Sequence, residues 1–382
     1  MKKILNVVNI YFTLPYFLGD QLSHFTKKGN EIHLICSPAK QLEGFAKKHG
    51  CKWKEIEITR TFSVLSDIKA VFALYKYIKH HKFDIVSGHT PKAGMLTMLA
   101  ARLAGVKNRI YFRHGLVYET SSGLKRRILL WSERLASWCS TKTVCVSQYL
   151  VDRSISDRLS KPNKLILLSR GSCTGIDATN LFNPDKYPQQ LRNELKASLN
   201  IPKDAYVIGF VGRMVRDKGI VELVDAFMKL KTDNPNLYLL LVGPLEERDA
   251  LPKSVVDFIS REHSIVNVGL IENDMPLYYS IMNLFVLPTH REGLGVALLE
   301  AQSMGIPALT TSHTGSRDAI IPGITGNYID MNPESIMETA EVYINDNELS
   351  KKQGMAGRNF VLDNFLQEKI WDEIESKLYL SD

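Results

Sequence analysis

Leu284-Phe285-Val286-Leu287-Pro288-Thr289-His290-Arg291-Glu292-Gly293-Leu294-Gly295-Val296-Ala297-Leu298-Leu299-Glu300-Ala301 decides how this chain is read. It opens on an apolar run without alternation, the pattern of a strand covered on both faces. A Gly-rich turn follows, and an apolar helix begins near Leu294 or Gly295. Strand, turn and helix in that order form the unit of a doubly wound α/β domain, and the free N–H groups at such a helix start suit phosphate. Glu292 and Glu300 would lie about 12 Å apart if the span between them were wholly helical. That is roughly the reach from a sugar ring across a diphosphate to a ribose, and carboxylates accept hydrogen bonds from the paired hydroxyls that both carry. The plainer reading makes Glu292 a helix-dipole partner and Glu300 a surface residue.

The same unit recurs on either side. Tyr206–Val211, Leu237–Val242, Ile265–Val268 and Ala308–Thr311 read as strands, as does Leu284–Leu287. After the first of them comes Gly212-Arg213-Met214-Val215-Arg216-Asp217-Lys218-Gly219, a turn that places Arg213 and Lys218 before a helix. Glycine lets backbone approach a ligand closely, and two cations at that mouth suit a diphosphate, although a solvated basic loop has the same composition. It is neither a Walker loop nor a Gly-x-Gly-x-x-Gly fingerprint. Thr314-Gly315-Ser316-Arg317-Asp318-Ala319 follows another strand and opens another helix.

In the first half, Lys3–Val8, Glu31–Cys36, Asp84–Ser87, Arg109–Phe112, Thr143–Val146 and Lys164–Leu168 read as strands, with helices over Asp67–His80 and Lys92–Leu103. Between the halves, 180–202 carries Asn183-Pro184, Tyr187-Pro188 and Ile201-Pro202 among polar residues, and reads as a linker region. The expected organisation is an N-terminal domain over 1–185, a linker over 186–202, a C-terminal domain over 203–362, and a helix over 363–382 packing back on the first domain. Two doubly wound domains in tandem would leave a cleft between the carboxyl ends of their sheets, where such folds bind ligands.

Composition narrows the partners. With 45% hydrophobic and 23% charged residues the chain is globular. Its formal charge of +7 suits an anionic small molecule or membrane surface, and no nucleic-acid-binding signature accompanies it. Cys36, Cys51, Cys139, Cys145 and Cys173 have no metal spacing and read as reduced core thiols of a cytoplasmic protein. The N-terminal Met-Lys-Lys-Ile-Leu-Asn run reads as a first buried strand rather than a signal peptide, and no stretch reaches the ~20 apolar residues of a membrane span.

Taken together, the Gly-Arg-x₄-Lys-Gly turn and the later Glu-Gly-x-Gly-x₄-Glu-Ala segment resemble family 4 of the retaining glycosyltransferases. That resemblance implies the GT-B fold, two Rossmann-like domains facing a central cleft. By carry-over, Arg213 and Lys218 would bind a donor diphosphate and Glu292 the donor-sugar hydroxyls. Gly293, Leu294, Gly295 and Val296 would line sugar and phosphate, and Glu300 would bind the ribose. The first half resembles a subgroup acting in bacterial capsule, O-antigen and lipid-linked oligosaccharide assembly, through His89-Thr90-Pro91-Lys92-Ala93-Gly94, Arg113-His114-Gly115 and Arg170 to Asp177. His114 would stand beside the donor sugar with its backbone carbonyl facing the reacting centre, and His89 and Lys92 would contribute to substrate binding. Gly19-Asp20 stands where many relatives carry Gly-Gly and touch the phosphates, but Tyr16-Phe17-Leu18 before it is bulkier than that role asks. Asp318 stands where many relatives have Glu.

The reaction implied is transfer of a sugar, an N-acetylhexosamine or related hexose, from a UDP-sugar with retention. No Asp-x-Asp pair offers a metal site, so no metal or other cofactor is expected, and Lys218, Arg213 and helix N-termini would stabilise the leaving diphosphate instead. The subgroup's acceptors are glycans or polyprenyl-diphosphate-linked sugars. Leu124, Ile128, Trp131, Leu135 and Trp138 recur at helical spacing among Lys125, Arg126, Arg127 and Arg134. This stripe fits either a helix lying on the anionic cytoplasmic face of a membrane or an ordinary core face with solvated charges. A UDP-sugar epimerase of the same architecture and an inactive nucleotide-sugar-binding subunit are the alternatives.

Overall fold

A computed structural model describes residues 1–61, 63–247 and 249–380. The chain divides into two units, Met1–Gly175 together with the segment from Gln367, and Ile176–Leu366.

In the first unit, β1 (Lys3–Val7), β2 (Glu31–Cys36), β3 (Lys52–Glu55), β4 (Ile85–His89), β5 (Asn108–Arg113), β6 (Lys142–Cys145) and β7 (Leu165–Leu167) form one sheet in the order β3-β2-β1-β4-β5-β6-β7. Every pairing is parallel. The helices between them are α1 (Thr13–Phe17), α2 (Gln21–Lys27), α3 (Leu42–Lys48), α4 (Val64–His81), α5 (Pro91–Leu103), α6 (Gly123–Cys139) and α7 (Gln148–Ser156). Leu74 and Ile78 of α4, Met98 and Ala101 of α5, and Ala136 of α6 share one buried core with Leu5, Val86 and Tyr111 of the sheet. α5 is nearly all interior because Gly94 leaves it flush against Tyr111: a Cβ there would stand 2.3 Å from the ring.

The second unit repeats the plan. β8 (Tyr206–Val211), β9 (Leu237–Val242), β10 (Ile265–Gly269), β11 (Leu284–Leu287), β12 (Ala308–Thr311) and β13 (Gly326–Ile329) run parallel in the order β10-β9-β8-β11-β12-β13. Its helices are α8 (Gln189–Ser198), α9 (Ile220–Asp233), α10 (Lys253–Arg261), α11 (Met275–Ser280), α12 (Val296–Ser303), α13 (Pro333–Asn345) and α14 (Asn347–Asn364). α15 (Gln367–Ile374) returns to the first unit, where Ser169 N–H bonds Glu373 at 2.7 Å and Asn108 bonds the Leu378 carbonyl at 2.6 Å.

Three boundaries differ from the sequence reading. The first unit ends at Gly175 rather than at residue 185. Residues 186–202 are not a linker: they hold α8, and Lys196 fastens it by donating to the carbonyls of Lys203 and Ala205. Pro188 stands at the N-cap of α8, so the proline punctuates a helix start instead of breaking structure. The C-terminal helix begins at Gln367, because Asn364 still closes α14. The sequence reading also missed two of the four edge strands. β3 is Lys-Trp-Lys-Glu and largely exposed, and β13 opens on a glycine, so neither shows the apolar run of its neighbours.

Strand order fixes where a ligand can bind. Each sheet reverses direction once, between β1 and β4 in the first unit and between β8 and β11 in the second. Loops leaving the carboxyl ends of such strand pairs diverge and leave a crevice. His89 ends β4, Gly212 follows β8, and Pro288 follows β11.

Candidate donor site

In the second unit the loops after β8 and β11 are packed directly on one another. Gly219, the N-cap of α9, holds φ +65°, and a Cβ there would stand 1.9 Å from the Pro288 carbonyl oxygen. No other residue takes that conformation at that separation without strain. His290 N–H also bonds the Asp217 carbonyl at 2.9 Å. Gly295 caps α12 with φ +79°, a left-handed turn that glycine takes without strain just before the unpaired first N–H groups of that helix. The third turn closes on the same place, with Gly315 N–H donating to the Glu292 carbonyl at 3.1 Å.

This packing concentrates charge. Lys218, buried to 8% exposure, donates to the Glu292 carboxylate, to the Arg291 carbonyl at 3.1 Å and to Thr289 Oγ1 at 3.4 Å. Burial works against ionising Glu292, but Lys218 and the Gly293 N–H more than offset it, and its pKa lies below the ordinary carboxylate range. Arg291 pairs with Asp217 at 2.7 Å. Burial likewise opposes ionisation of Asp217, yet Lys218 and Arg291 bring its pKa down. Arg213, half-exposed, is held by Glu246 at 3.0 Å. Three cations are thus ordered by carboxylates at the mouth of two helices before any ligand arrives, the preorganisation that a diphosphate needs.

Glu300 differs in kind. It lies on α12, partly covered, and accepts a hydrogen bond from the Tyr279 hydroxyl at 2.7 Å. Burial pushes its pKa up to about 7 even though Tyr279 favours the ionised form. Leu294 is 2% exposed, so its side chain anchors the turn in the core and only its backbone is available to a ligand. Gly293 and Gly295 are buried as well, while Val296 is partly exposed.

In the first unit, His114 follows β5 and carries Phe17 stacked on its imidazole, centroids 3.5 Å apart and planes 6° from parallel. His114 Nε2 lies 3.1 Å from His89 Nδ1, and Cys173 Sγ lies 3.7 Å from its Nδ1. Burial, and secondarily His89, drive the His114 pKa well down, so the ring is neutral. Both ring nitrogens are thus engaged by interior groups. Gly19, at φ +44°, begins the turn after α1, but Phe17 turns inward on to His114.

Two expected ligand-facing side chains stand elsewhere. His89 is fully buried, its pKa pushed down to about 3 by burial, and it meets only interior groups such as His114 and Asn6. Lys92 is 5% exposed and pairs with Asp67 at 2.5 Å, with Thr59 at 2.8 Å beyond. Their positions after a strand end suggest a mouth, but the first turn of α5 is closed over by α4. Conversely, Tyr279 and Glu246, which hold Glu300 and Arg213, were absent from the sequence reading. Glu246 and Tyr279 lie on other segments with no motif around them, and only the fold brings them in.

Family models match both halves: Glycosyltransferase Family 4 over residues 17–171 and Glycosyl transferases group 1 over 192–360. A capsular polysaccharide biosynthesis glycosyltransferase, CapM of Staphylococcus aureus, is 33% identical over 98% of this chain and 96% of its own length. The chain belongs to the family 4 type of GT-B glycosyltransferases. An Escherichia coli UDP-Gal:alpha-D-GlcNAc-diphosphoundecaprenol alpha-1,3-galactosyltransferase is 26% identical over 96% of this glycosyltransferase and 95% of its own length. The fold matches Anabaena HepE, crystallised with UDP and glucose, at a TM-score of 0.82 and 17% identity over the whole of both chains.

Proposed function

We propose that this glycosyltransferase moves a sugar from a UDP-sugar, an N-acetylhexosamine first and a related hexose next, to a polyprenyl-diphosphate-linked or glycan acceptor in bacterial surface polysaccharide synthesis. The observation that carries the reading is the ordered set Arg213, Lys218 and Arg291 around the start of α12, with Glu292 on one side and Glu300 eight residues on. That set has cations for a diphosphate and a carboxylate for each polyol flanking it. The Escherichia coli relative, named for a UDP-galactose donor and a diphosphoundecaprenol-linked acceptor, supports the same class of substrates.

Transfer proceeds with retention by front-face displacement. The leaving phosphate accepts the acceptor's proton while Lys218 and Arg213 stabilise its charge, so that no protein base and no divalent metal are required. Glu292 holds the donor sugar and Glu300 the ribose. The His114 carbonyl faces the sugar as its bond to phosphate breaks. Work on a lipid-linked acceptor places the enzyme at the cytoplasmic face of the membrane, and no helix among the described residues is long and apolar enough to cross one.

A screen of UDP- and GDP-sugars by nucleotide release, with a synthetic prenyl-diphosphate sugar as acceptor and EDTA present, tests the reading. Acceptor-dependent UDP release and a product with the donor's anomeric configuration are expected. Acceptor-independent epimer formation, or transfer that stops on chelation, would overturn it.

A further inference from the structure

Phe17 lies flat on the His114 imidazole, with ring centroids 3.5 Å apart, and closes one face of it. The ring's edge is held as well, by His89 at Nε2 and by Cys173 at Nδ1. Cys173 Sγ also lies 3.7 Å from the Phe17 carbonyl oxygen, so one thiol touches both the imidazole and the segment that covers it. Phe112 in turn stacks on His89, centroids 4.5 Å apart and planes 11° from parallel. His89, Phe112 and Cys173 are all buried, and a ring gripped on a face and at both nitrogens in a packed interior keeps one orientation.

The grip also decides where the protons sit. Both imidazoles are neutral, because burial holds the His89 and His114 pKa values below the ordinary histidine range, and a neutral ring carries one N–H. His89 Nε2 faces the side-chain oxygen of Asn6 at 3.5 Å, an acceptor, which places the His89 proton on that nitrogen. His89 Nδ1 must then accept, and His114 Nε2–H donates to it at 3.1 Å. That leaves His114 Nδ1 as the acceptor for the Cys173 thiol at 3.7 Å. Thiol, two imidazoles and amide thus form one chain with a single direction, in which neither ring strands its N–H.

Both nitrogen partners enter from strained corners. Thr90, next to His89, holds φ +66° and donates its hydroxyl to Asn9 Oδ1 at 3.0 Å. Ser172, next to Cys173, holds φ +76°, and its Oγ accepts from the N–H groups of Thr174 and Gly175. Left-handed backbone is unfavourable for residues with a Cβ and survives where the surroundings over-determine it, a condition that gathers at sites needing fixed geometry. Simple core packing does not call for a strained corner on either side of one ring. A clamp that must deliver two groups to it does.

We propose that Phe17, His89 and Cys173 are positioning residues for sugar transfer, acting through the His114 ring to hold the chain just after β5 in one geometry. The inference rests on the reading that sets the His114 backbone beside the donor sugar, and it names what keeps that backbone in place. The diphosphate and ribose are assigned to Arg213, Lys218 and Glu300 of the other unit, so a loosened clamp should slow transfer without weakening UDP.

The test joins a double-mutant cycle to a spectroscopic reading of the full chain. Phe17→Leu and His89→Leu should each lower kcat roughly three- to tenfold, the effect of one lost ring contact or hydrogen bond, with the Kd for UDP unchanged. His89→Asn, which keeps an acceptor at the δ position, should recover most of the His89→Leu loss. In a His114→Ala background the Phe17→Leu effect should vanish, since the ring it acts on is gone. Phe17 is half-buried, so its variant folds even where a buried His89 variant does not. In nitrogen NMR of 15N-labelled histidine, His89 and His114 should both show the Nε2–H tautomer and no titration between about pH 5 and pH 8. Wild-type kcat in Phe17→Leu, an undiminished Phe17→Leu effect without the His114 ring, or an Nδ1–H signal from His114 would overturn the proposal. The tautomer reading needs neither donor nor acceptor. A chain with these tautomers and no transfer therefore sinks the reaction, whereas a transferring chain without them sinks the clamp.

Discussion

Glu300→Gln tests the donor site most sharply, because the structure gives this carboxyl a titration that its neighbours lack. Burial raises its pKa from 4.5 to about 7, and Tyr279 only partly resists. A carboxylate can accept from both ribose hydroxyls, whereas the protonated form loses one acceptor position. Roughly a tenth of the enzyme has Glu300 ionised at pH 6, half at pH 7 and nine-tenths at pH 8. If the ionised form is the one that binds, affinity for a UDP-sugar should rise about tenfold from pH 6 to pH 8, with most of the gain below pH 7. Folding stability runs the other way. A group whose folded pKa is raised favours the native state below its ordinary value, so this contribution is present below about pH 4.5 and disappears as pH climbs through 7. Isothermal calorimetry with a UDP-sugar is the suitable assay, since its diphosphate diester does not titrate in this range. Glu300→Gln should bind weakly and with no slope, while Tyr279→Phe, which removes the hydrogen bond favouring ionisation, should move the slope to higher pH. A flat wild-type profile, or an unchanged slope in Glu300→Gln, would refute the assignment of ribose to this residue.

Lys218→Ala should lower kcat by about 10²–10³-fold in a UDP-release assay at saturating donor, the usual loss for one preorganised donor to a developing charge; activity within threefold of wild type would count against its place on the leaving diphosphate. Gly219→Ala forces a Cβ to 1.9 Å from the Pro288 oxygen at a left-handed φ, so the unfolding free energy from urea titration should fall by well over ~1 kcal/mol, and an unchanged midpoint would contradict the loop packing. Glu133→Ala leaves Arg113 buried without its carboxylate partner, a change that should cost about 3–5 kcal/mol in thermal or chemical unfolding. A loss under 1 kcal/mol would mean that water or Ser137 replaces the carboxylate.

The central strands and the helices after them were legible because a parallel sheet covered on both faces needs uninterrupted Ile, Val and Leu, as in Leu237–Val242 and Leu284–Leu287. The edge strand β3 was not, since Lys52–Glu55 has only one neighbour and keeps exposed charge. The segment 186–202 misled for a related reason: α8 shows much of its surface to solvent, so its polar composition and bounding prolines look like those of a linker. At the site, residues within one motif were readable because backbone spacing sets their separation, as with Lys218 beside Gly219 and Glu292 beside Gly293. Partners supplied by another segment were not, which is why Glu246 on Arg213 and Tyr279 on Glu300 appear only in three dimensions. His89 and Lys92 show the converse error. His89 ends β4 and Lys92 opens the helix after it, but Asn6 of β1 lies against the first and Asp67 of α4 closes over the second, and coverage by a distant segment leaves no mark on local sequence.

Arg113 ties the end of β5 to the inward side of α6. It precedes His114 in the chain, and its fully buried guanidinium donates to Glu133 at 2.8 Å, Ser137 at 2.7 Å and Ser154 at 2.6 Å. Glu133 and Ser137 lie on the inward side of α6, whereas Trp131, Arg134 and Trp138 lie on its outward side. A charge-assisted network in a dry interior is stiff, because every alternative arrangement strands a charge or a polar group. The outward residues can therefore be exchanged without disturbing the end of β5, while a change at Glu133 reaches His114 through Arg113.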